Sequence, residues 1–184
     1  MLQRIGTMLG NALVDSVPTN KNEDNAMGTF AELIHRYEFE ADKIVRSSPP
    51  RFSDQNKKTV YALSSPRGSS HNGTIVFSRW RPPVSNSRLE CHSVSTKSRL
   101  GYFRYENTDK DTISWHLNFA HYDLFCCYAG PLFAQDEMQV TEHPALASLR
   151  GILIQENIAP LSVEDGTPTP ALIMGVERRC IVHT

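Results

Sequence analysis

Residues 112–120 read TISWHLNFA, and this stretch decides the expected fold class. β-Branched and aromatic residues make up most of it, and they favour the pleated, half-buried surface of a β-strand. Further on, ALASLRGILIQEN (145–157) carries apolar residues at helical spacing, and Pro144 suits the first turn of a helix. A strand, a loop and then a helix predict an α/β protein.

Upstream of this stretch, the pattern predicts one helix and several strands. Apolar side chains recur every three or four positions over 29–47, which predicts an amphipathic helix. Thr29 and Glu32 have the spacing of a capping box at its start, and Pro49 would end it. Short runs of β-branched, aromatic or alternating residues predict strands at 57–64, 74–80, 89–106 and 171–184.

The predicted fold class is α/β, with a mixed sheet flanked by helices, a strand-rich first half and βαβ-like alternation after it. Residues 1–27 are polar and irregular, so we expect a flexible N-terminal arm followed by a single α/β domain over 28–184. Because the chain stops directly after a predicted strand, where a doubly wound sheet usually continues, we expect a truncated or unusually small example.

The amino-acid composition is typical of a globular protein. Hydrophobic residues make up 40% of the 184 residues and charged residues 21%, near the averages of globular domains. The net charge of -1 gives no reason to expect nucleic acid or a membrane surface as a partner. No apolar run approaches the ~20 residues of a membrane-spanning helix. With no recognisable export signal, we expect an intracellular location, cytoplasmic or nuclear, and reduced, buried cysteines.

The pair Asp136-Glu137 is the most promising chemical feature, because it follows the apolar, aromatic segment 121–134. Apolar surroundings disfavour the charged form of a carboxyl group, and a neighbouring carboxylate disfavours it further. A carboxyl group with a raised pKa is suited to act as a general acid near neutral pH. Cleavage of a glycosidic bond needs such an acid to protonate the leaving oxygen.

The segment from LNFA (117–120) through a glycine-containing loop to AQDE (134–137) resembles the signature of the microbial-type poly(ADP-ribose) glycohydrolases, which are catalytic macrodomains. The family pattern is a strand ending in N-F-A, a run of glycines and then Gln-Glu-Glu. The resemblance extends over residues 112–150. It implies a macrodomain-like fold that acts on ADP-ribose or an ADP-ribosylated protein, with no metal or other cofactor required.

The resemblance also implies roles for individual residues. Glu137 would be the catalytic acid, and Asp136 would complete the acidic pair and bind ribose hydroxyls. Asn118 would hold the terminal ribose, and Gly130 would belong to the phosphate-binding loop. The other implied ligand-binding residues are aromatic or amide side chains that would pack against or bind the nucleotide: Phe119, Phe125, Tyr128, Phe133 and Gln135.

The segment departs from the family pattern at two places. The glycine run is reduced to Ala129-Gly130-Pro131, and proline removes one N–H donor from a loop that would bind a diphosphate. The first carboxylate is Asp136 where the family has Glu, so its reach is shorter by one methylene. The alternative function is therefore a non-catalytic module that binds ADP-ribose or a related nucleotide.

Other interpretations remain open. A Gln-Asp-Glu triplet at a helix start complements the helix dipole, and the chain would then be a structural or protein-interaction protein. A cysteine nucleophile, Cys126 or Cys127 with His121 or His143 as base, would suit acyl transfer. Neither cysteine directly precedes a predicted helix, so both are expected to be buried side chains. The spacing of these histidines and cysteines also lacks the pairs typical of a zinc site.

Overall fold

The computed structural model describes residues 2–6, 31–82, 96, 98, 114–118 and 121–182. Its helices are α1 (Ala41–Ser47), α2 (Gln55–Ser64), α3 (Gln135–Glu142) and α4 (Ala145–Gln155). Its strands are β1 (Leu2–Gly6), β2 (Glu32–Glu40), β3 (Thr74–Arg81), β4 (Trp115–His116), β5 (Val163–Glu164), β6 (Thr167–Pro168) and β7 (Ala171–Glu177). Among the described residues, no helix has the length and apolar character needed to cross a membrane.

Five strands form one mixed sheet in the order β2-β3-β7-β1-β4. Neighbouring strands are antiparallel except β1 and β4, which run parallel. The remaining strands, β5 and β6, form a short hairpin whose turn, Asp165-Gly166, has positive φ at both positions. The predicted mixed α/β class is confirmed.

The first strand lies inside the sheet. β1 pairs with β7 on one side and with β4 on the other. It therefore links the strand that precedes the candidate site to the rest of the sheet. Residues 2–6 fall within the range predicted as a flexible arm, but they form a paired strand, and residues 7–30 lie outside the described part of the chain.

The helix predicted over 29–47 is wrong in its first part. Residues Glu32–Glu40 form β2, an edge strand in which half-buried Tyr37 and Phe39 alternate with exposed Glu38 and Glu40. Helical structure begins only at Ala41, where the spacing of buried side chains changes to that of a helix. Thr29, the predicted cap, lies outside the described residues.

The strand predicted over 57–64 is also wrong, because these residues belong to α2. Asp54 caps the helix by accepting a hydrogen bond from the backbone N–H of Lys57 at 3.0 Å. An aspartate at this position satisfies a donor that the helix itself leaves free, which outweighs the preference of Thr59, Val60 and Tyr61 for strands.

Three other predicted elements are confirmed: β3, β7 and α4, the last with Pro144 directly before it. Of the strand predicted over 112–120, the structure describes 114–118; within these, Trp115 and His116 pair with β1, and Leu117 and Asn118 are not in a strand. Of the strands predicted over 89–106, only Thr96 and Ser98 are described, and neither is in a strand.

The hydrophobic core lies between the sheet and helices α1 and α4. It is built from side chains of β3, β7, α1, α3 and α4 together with the loop before α3; its most deeply buried members include Ile75, Phe77, Val140, Leu146, Leu149 and Val176. Helix α4 is apolar around nearly all of its first two turns because it is covered by α1, α3 and β7. This core fixes α3, which carries the acidic pair, beside α2 and α4.

Candidate functional site

The acidic pair lies in the first turn of α3. Ala134 occupies the N-cap position, and its backbone N–H donates to Oε2 of Glu137 at 2.9 Å. This is one half of a capping box, and both carboxyl groups also complement the helix dipole. The helix start predicted for Gln135-Asp136-Glu137 is therefore present. Its capping interaction is one reason why an acidic residue lies at position 137.

Glu137 is almost completely buried, with 2% of its surface exposed, whereas Asp136 is half-buried. Burial raises the pKa of Glu137, and a hydrogen bond with the Asp136 carboxyl group and repulsion from its charge raise it further. The hydrogen bond to the Ala134 N–H acts in the opposite direction. The raised pKa shifts Glu137 toward its protonated form, and Asp136 is the more accessible member of the pair.

Lys57 of α2 is a second buried ionisable group beside α3, with 2% of its surface exposed. Its Nζ donates to the backbone carbonyls of Tyr128, Gly130 and Leu132 at 2.9, 2.6 and 2.6 Å. Burial lowers the pKa of Lys57, and the negative charge of Glu137 is the strongest influence that opposes this change. The lysine thus fixes the shape of residues 128–132 next to the acidic pair.

The carbonyl of Ala129, in the same loop, is bound by residues that precede α2. It accepts hydrogen bonds from the backbone N–H groups of Ser53 and Asp54 at 2.8 and 3.0 Å and from the Ser53 hydroxyl at 2.9 Å. The C=O and N–H of a trans peptide point in opposite directions. The N–H groups of Ala129, Gly130 and Phe133 therefore point away from α2, and no hydrogen bond joins them to another described residue.

The end of β4 contacts α3 through amide side chains. Gln135 donates from Nε2 to the Leu117 carbonyl at 2.8 Å, and Asn118 donates from Nδ2 to Oε1 of Gln139 at 2.5 Å. The other two polar atoms of this amide pair, Oδ1 of Asn118 and Nε2 of Gln139, are buried and have no hydrogen-bond partner within the described part of the chain. One unpaired acceptor and one unpaired donor group therefore remain at the end of the strand.

The structure brings some of the predicted site residues together and separates others. Gln135 and Gln139 are one helical turn apart and contact residues 117–118. Glu137 lies roughly 200° around the helix from Gln139 at 100° per residue. Asn118 and Glu137 therefore lie on opposite sides of α3.

The aromatic residues predicted to contact a ligand also lie in different environments. Tyr128 packs edge-on against Phe52 at a centroid distance of 5.5 Å, and its hydroxyl accepts a hydrogen bond from the Arg51 N–H at 3.1 Å. Phe133 has 39% of its surface exposed and is the aromatic side chain available to a ligand. Phe125 belongs to the hydrophobic core, and Phe119 lies outside the described residues.

The cysteine prediction needs correction. Cys126 is half-buried and Cys127 is exposed, because residues 124–129 form turns in which Leu124 and Phe125 enter the core and the cysteines lie nearer the surface. Burial, the main cause, and the neighbouring Cys127 raise the pKa of Cys126 to about 11, which holds it as the thiol and does not suit it to acyl transfer. Within the described ranges, no group of three or more His, Cys, Asp and Glu side chains is arranged to hold a metal ion.

A pocket of about 670 Å³ lies elsewhere, between the edge strand β2, α1 and the end of α4. None of the residues predicted for the site lines it; its lining includes Tyr37, Phe39, Lys43, Ile44, Ile152 and Ile158. The acidic pair and this pocket are therefore separate features of the molecule.

Sequence reasoning missed two residues of the site, Lys57 and Gln139. The Asp54 cap was a signal that Lys57 lies in the first turn of a helix, but it gave no information about what that helix packs against. Gln139 could have been found from its spacing of four residues from Gln135 on a predicted helix. Comparison of the chain with protein-family models, with curated proteins and with solved structures finds no match.

Proposed function

We propose that the chain is a macrodomain-like hydrolase that cleaves a ribosyl glycosidic bond of ADP-ribose, either in its polymer or on a modified protein. The observation that carries this proposal is the buried carboxyl group of Glu137, whose pKa is raised by burial and by hydrogen bonding to Asp136. A carboxyl group that keeps its proton closer to neutral pH can protonate a leaving oxygen.

The two carboxyl groups differ in their exposure to solvent, and this difference suggests how the proton reaches the substrate. Glu137 is shielded from solvent, so Asp136, the half-buried partner, meets the ribose and relays the proton of Glu137. The bond between the anomeric carbon and the leaving oxygen breaks as that oxygen is protonated, and positive charge builds on the ribose. Water adds to the anomeric carbon, and its proton returns to the carboxylate pair.

Two groups of polar atoms support ADP-ribose as the substrate class. The outward N–H groups of Ala129, Gly130 and Phe133 can donate to a diphosphate, and the Lys57 ammonium behind the same loop favours an anion there. A ribose hydroxyl can donate to Oδ1 of Asn118 and accept from Nε2 of Gln139. Such a hydroxyl would relieve the cost of leaving both buried groups unpaired.

The test compares ADP-ribose release from a modified protein by the wild type and by Glu137→Gln. Glutamine keeps an oxygen for the Ala134 N–H but carries no acidic proton, so helix α3 should persist. We expect kcat to fall by roughly 10²–10⁴-fold, as for loss of a general acid. Glu156→Gln, which changes an exposed carboxylate beyond the end of α4, should retain full activity. Equal activity of wild type and Glu137→Gln would refute the assigned role of Glu137.

A non-catalytic ADP-ribose-binding module is the second candidate function. The loss of one N–H donor at Pro131 and the depth of Glu137 favour it. In that case calorimetry would detect ADP-ribose binding by the wild type and by Glu137→Gln, with no release of product by either. Absence of binding at millimolar ADP-ribose would contradict both functions and leave the helix-start role as the explanation of the acidic pair.

A further inference from the structure

Cys126 and Cys127 have adjacent sulfur atoms as well as adjacent positions in the chain. Their Sγ atoms are 3.2 Å apart. In an extended strand, successive side chains point to opposite faces, so neighbouring thiols would be separated. Here two overlapping turns bring them to one side, with hydrogen bonds from the Cys126 N–H to the Asp123 carbonyl and from the Tyr128 N–H to the Phe125 carbonyl.

The segment that carries the thiols is fixed at both ends. On one side, Arg150 of α4 donates from its second terminal nitrogen to Asp123 at 3.0 Å and from the first to the Leu124 carbonyl at 2.6 Å. On the other side, Lys57 binds the Tyr128 carbonyl at 2.9 Å. Since these anchors lie on two different helices, the close approach of the thiols is a property of the packed structure.

We propose that Cys126 and Cys127 form a vicinal dithiol site at which a hydroperoxide oxidises the two thiols to a reversible disulfide. Cys127 is exposed and free, and Cys126 lies directly behind it, half-buried. The proposal concerns the thiols alone and does not depend on the function proposed for the acidic pair.

The reaction has two steps. The sulfur of Cys127 attacks one peroxide oxygen; an S–O bond forms, the O–O bond breaks, and the other oxygen takes the thiol proton and leaves as water from hydrogen peroxide or as an alcohol from an organic hydroperoxide. The sulfur of Cys126 then attacks the sulfur of Cys127; the S–S bond forms, the S–O bond breaks, and hydroxide leaves as water with the proton of Cys126. The two thiols lose two electrons and two protons, and the hydroperoxide is reduced.

The environment of the thiols sets the order of these steps and the reversibility of the product. Burial holds Cys126 in its thiol form, since its pKa is raised to about 11, so the exposed Cys127 meets the oxidant first. Adjacent Cα atoms are ~3.8 Å apart, closer than the spacing that disulfides usually span, so the bond stores strain and is readily reduced.

The test is mass spectrometry of the full chain after brief treatment with hydrogen peroxide. We expect the wild type and Cys180→Ser to lose the mass of two hydrogen atoms, with the link mapped to the peptide containing Cys126 and Cys127 and removed by dithiothreitol. Cys126→Ser cannot form this link, so its Cys127 should gain oxygen atoms instead. Phenylarsine oxide binds two neighbouring thiols, so it should protect Cys126 and Cys127 of Cys180→Ser from peroxide. It should not protect Cys127 in Cys126→Ser, where the second thiol is missing.

Two other outcomes would overturn the proposal. Oxygen added to Cys127 in the wild type, with no loss of hydrogen, would show that Cys126 does not reach the oxidised sulfur. A disulfide that joins Cys127 to Cys91, to Cys180 or to a second chain would also overturn the proposal. Because peroxide treatment of the folded wild type is itself informative, the conclusion does not depend on whether a serine variant folds.

Discussion

At the scale of single residues, Lys57 has the largest structural role near the candidate site. Its ammonium is buried and binds three backbone carbonyls of the loop that leads to α3. A lysine has three N–H donors, so this arrangement uses all of them. The loop conformation, and with it the direction of the N–H groups around Gly130, therefore depends on this side chain of α2 together with Ser53 and Asp54.

Replacing Lys57 with methionine tests this dependence. Methionine has a similar length and no charge, so the core volume is largely kept while three carbonyls lose their donor. We expect the free energy of unfolding to fall by roughly 2–4 kcal/mol, the cost of leaving buried polar groups unpaired. Urea denaturation measures the change. Lys58→Met, at the exposed neighbouring position, is the matched control and should change stability little; equal effects at both positions would contradict the role of the carbonyl contacts.

The residues of the candidate site differ in how far the sequence could predict them. The acidic pair was recognisable because two carboxylates followed a long apolar segment, and burial of Glu137 agrees with that environment. The contact between Lys57 and residues 128–132 spans about 75 positions in the chain, as for Leu132. Such a contact depends on how α2 packs beside α3, and no local pattern specifies it.

At the scale of elements, β7 is the strand on which the sheet depends, because it pairs with both β3 and β1. Its pairing with β1 is irregular: Gln3 lies opposite Val176 and Ile5 opposite Ile173, so one residue of β1 faces two of β7. Gly175 lies in this bulge with φ of +79°, in the region that glycine adopts without strain.

The substitution Gly175→Ala should therefore destabilise the sheet. A Cβ at this position would overlap the carbonyl oxygen of Thr74, a backbone atom of β3 that cannot rotate away. We expect a loss of roughly 3 kcal/mol in the free energy of unfolding, from the clash and the strained φ together. Gly166→Ala separates the two causes, since Gly166 also has positive φ but no atom within 4 Å of the added Cβ. Thermal unfolding of both variants gives the comparison, and a loss no larger for Gly175→Ala than for Gly166→Ala would refute the clash.

The elements also show why sequence patterns predicted only part of the fold. β3 and α4 have strong, unmixed patterns and were predicted correctly. In β2, Ile34 and Tyr37 happen to continue the helical spacing of α1, while the true period of two is visible only from Tyr37 to Glu40. In α2, strand-favouring residues lie on a helix that a cap and a buried lysine stabilise. The strand pairing of residues 2–6 involves partners more than 100 positions away, so local pattern carries no information about it.

At the scale of the whole molecule, the end of α3 joins distant parts of the chain. The carboxylate of Glu142 accepts hydrogen bonds from the Arg178 guanidinium and the Val182 N–H, both at 2.8 Å. The segment after β7 is thus bound to the helix that carries the acidic pair. Next to this junction lies His143, which is fully buried and hydrogen-bonded through Nδ1 to the Gln139 carbonyl at 2.9 Å.

Two buried groups give the stability of the molecule opposite dependences on pH. The folded pKa of Glu137 is raised above the ordinary 4.5, so the unfolded chain releases its proton first, and this group reduces stability as pH rises above 4.5. Burial lowers the pKa of His143 from 6.5 to about 3, so the unfolded chain binds a proton first, and this group reduces stability as pH falls below 6.5. Their effects overlap in mildly acidic solution.

The histidine effect can be isolated with His143→Gln, which removes the titrating group and keeps an N–H donor for the Gln139 carbonyl. The variant can differ from the wild type in stability at neutral pH because the packing changes, so the informative quantity is the slope of unfolding free energy against pH. Between 6.5 and about 3, we expect the wild type to lose stability relative to the variant with each fall in pH, by about 1 kcal/mol per pH unit. His121→Gln, which changes an exposed histidine, should follow the wild-type slope. Urea denaturation at a series of acidic pH values gives the unfolding free energy of all three proteins. If the curves for wild type and His143→Gln are parallel, the folded and unfolded chains bind the same number of protons at His143. That result would contradict the lowered pKa of this buried histidine.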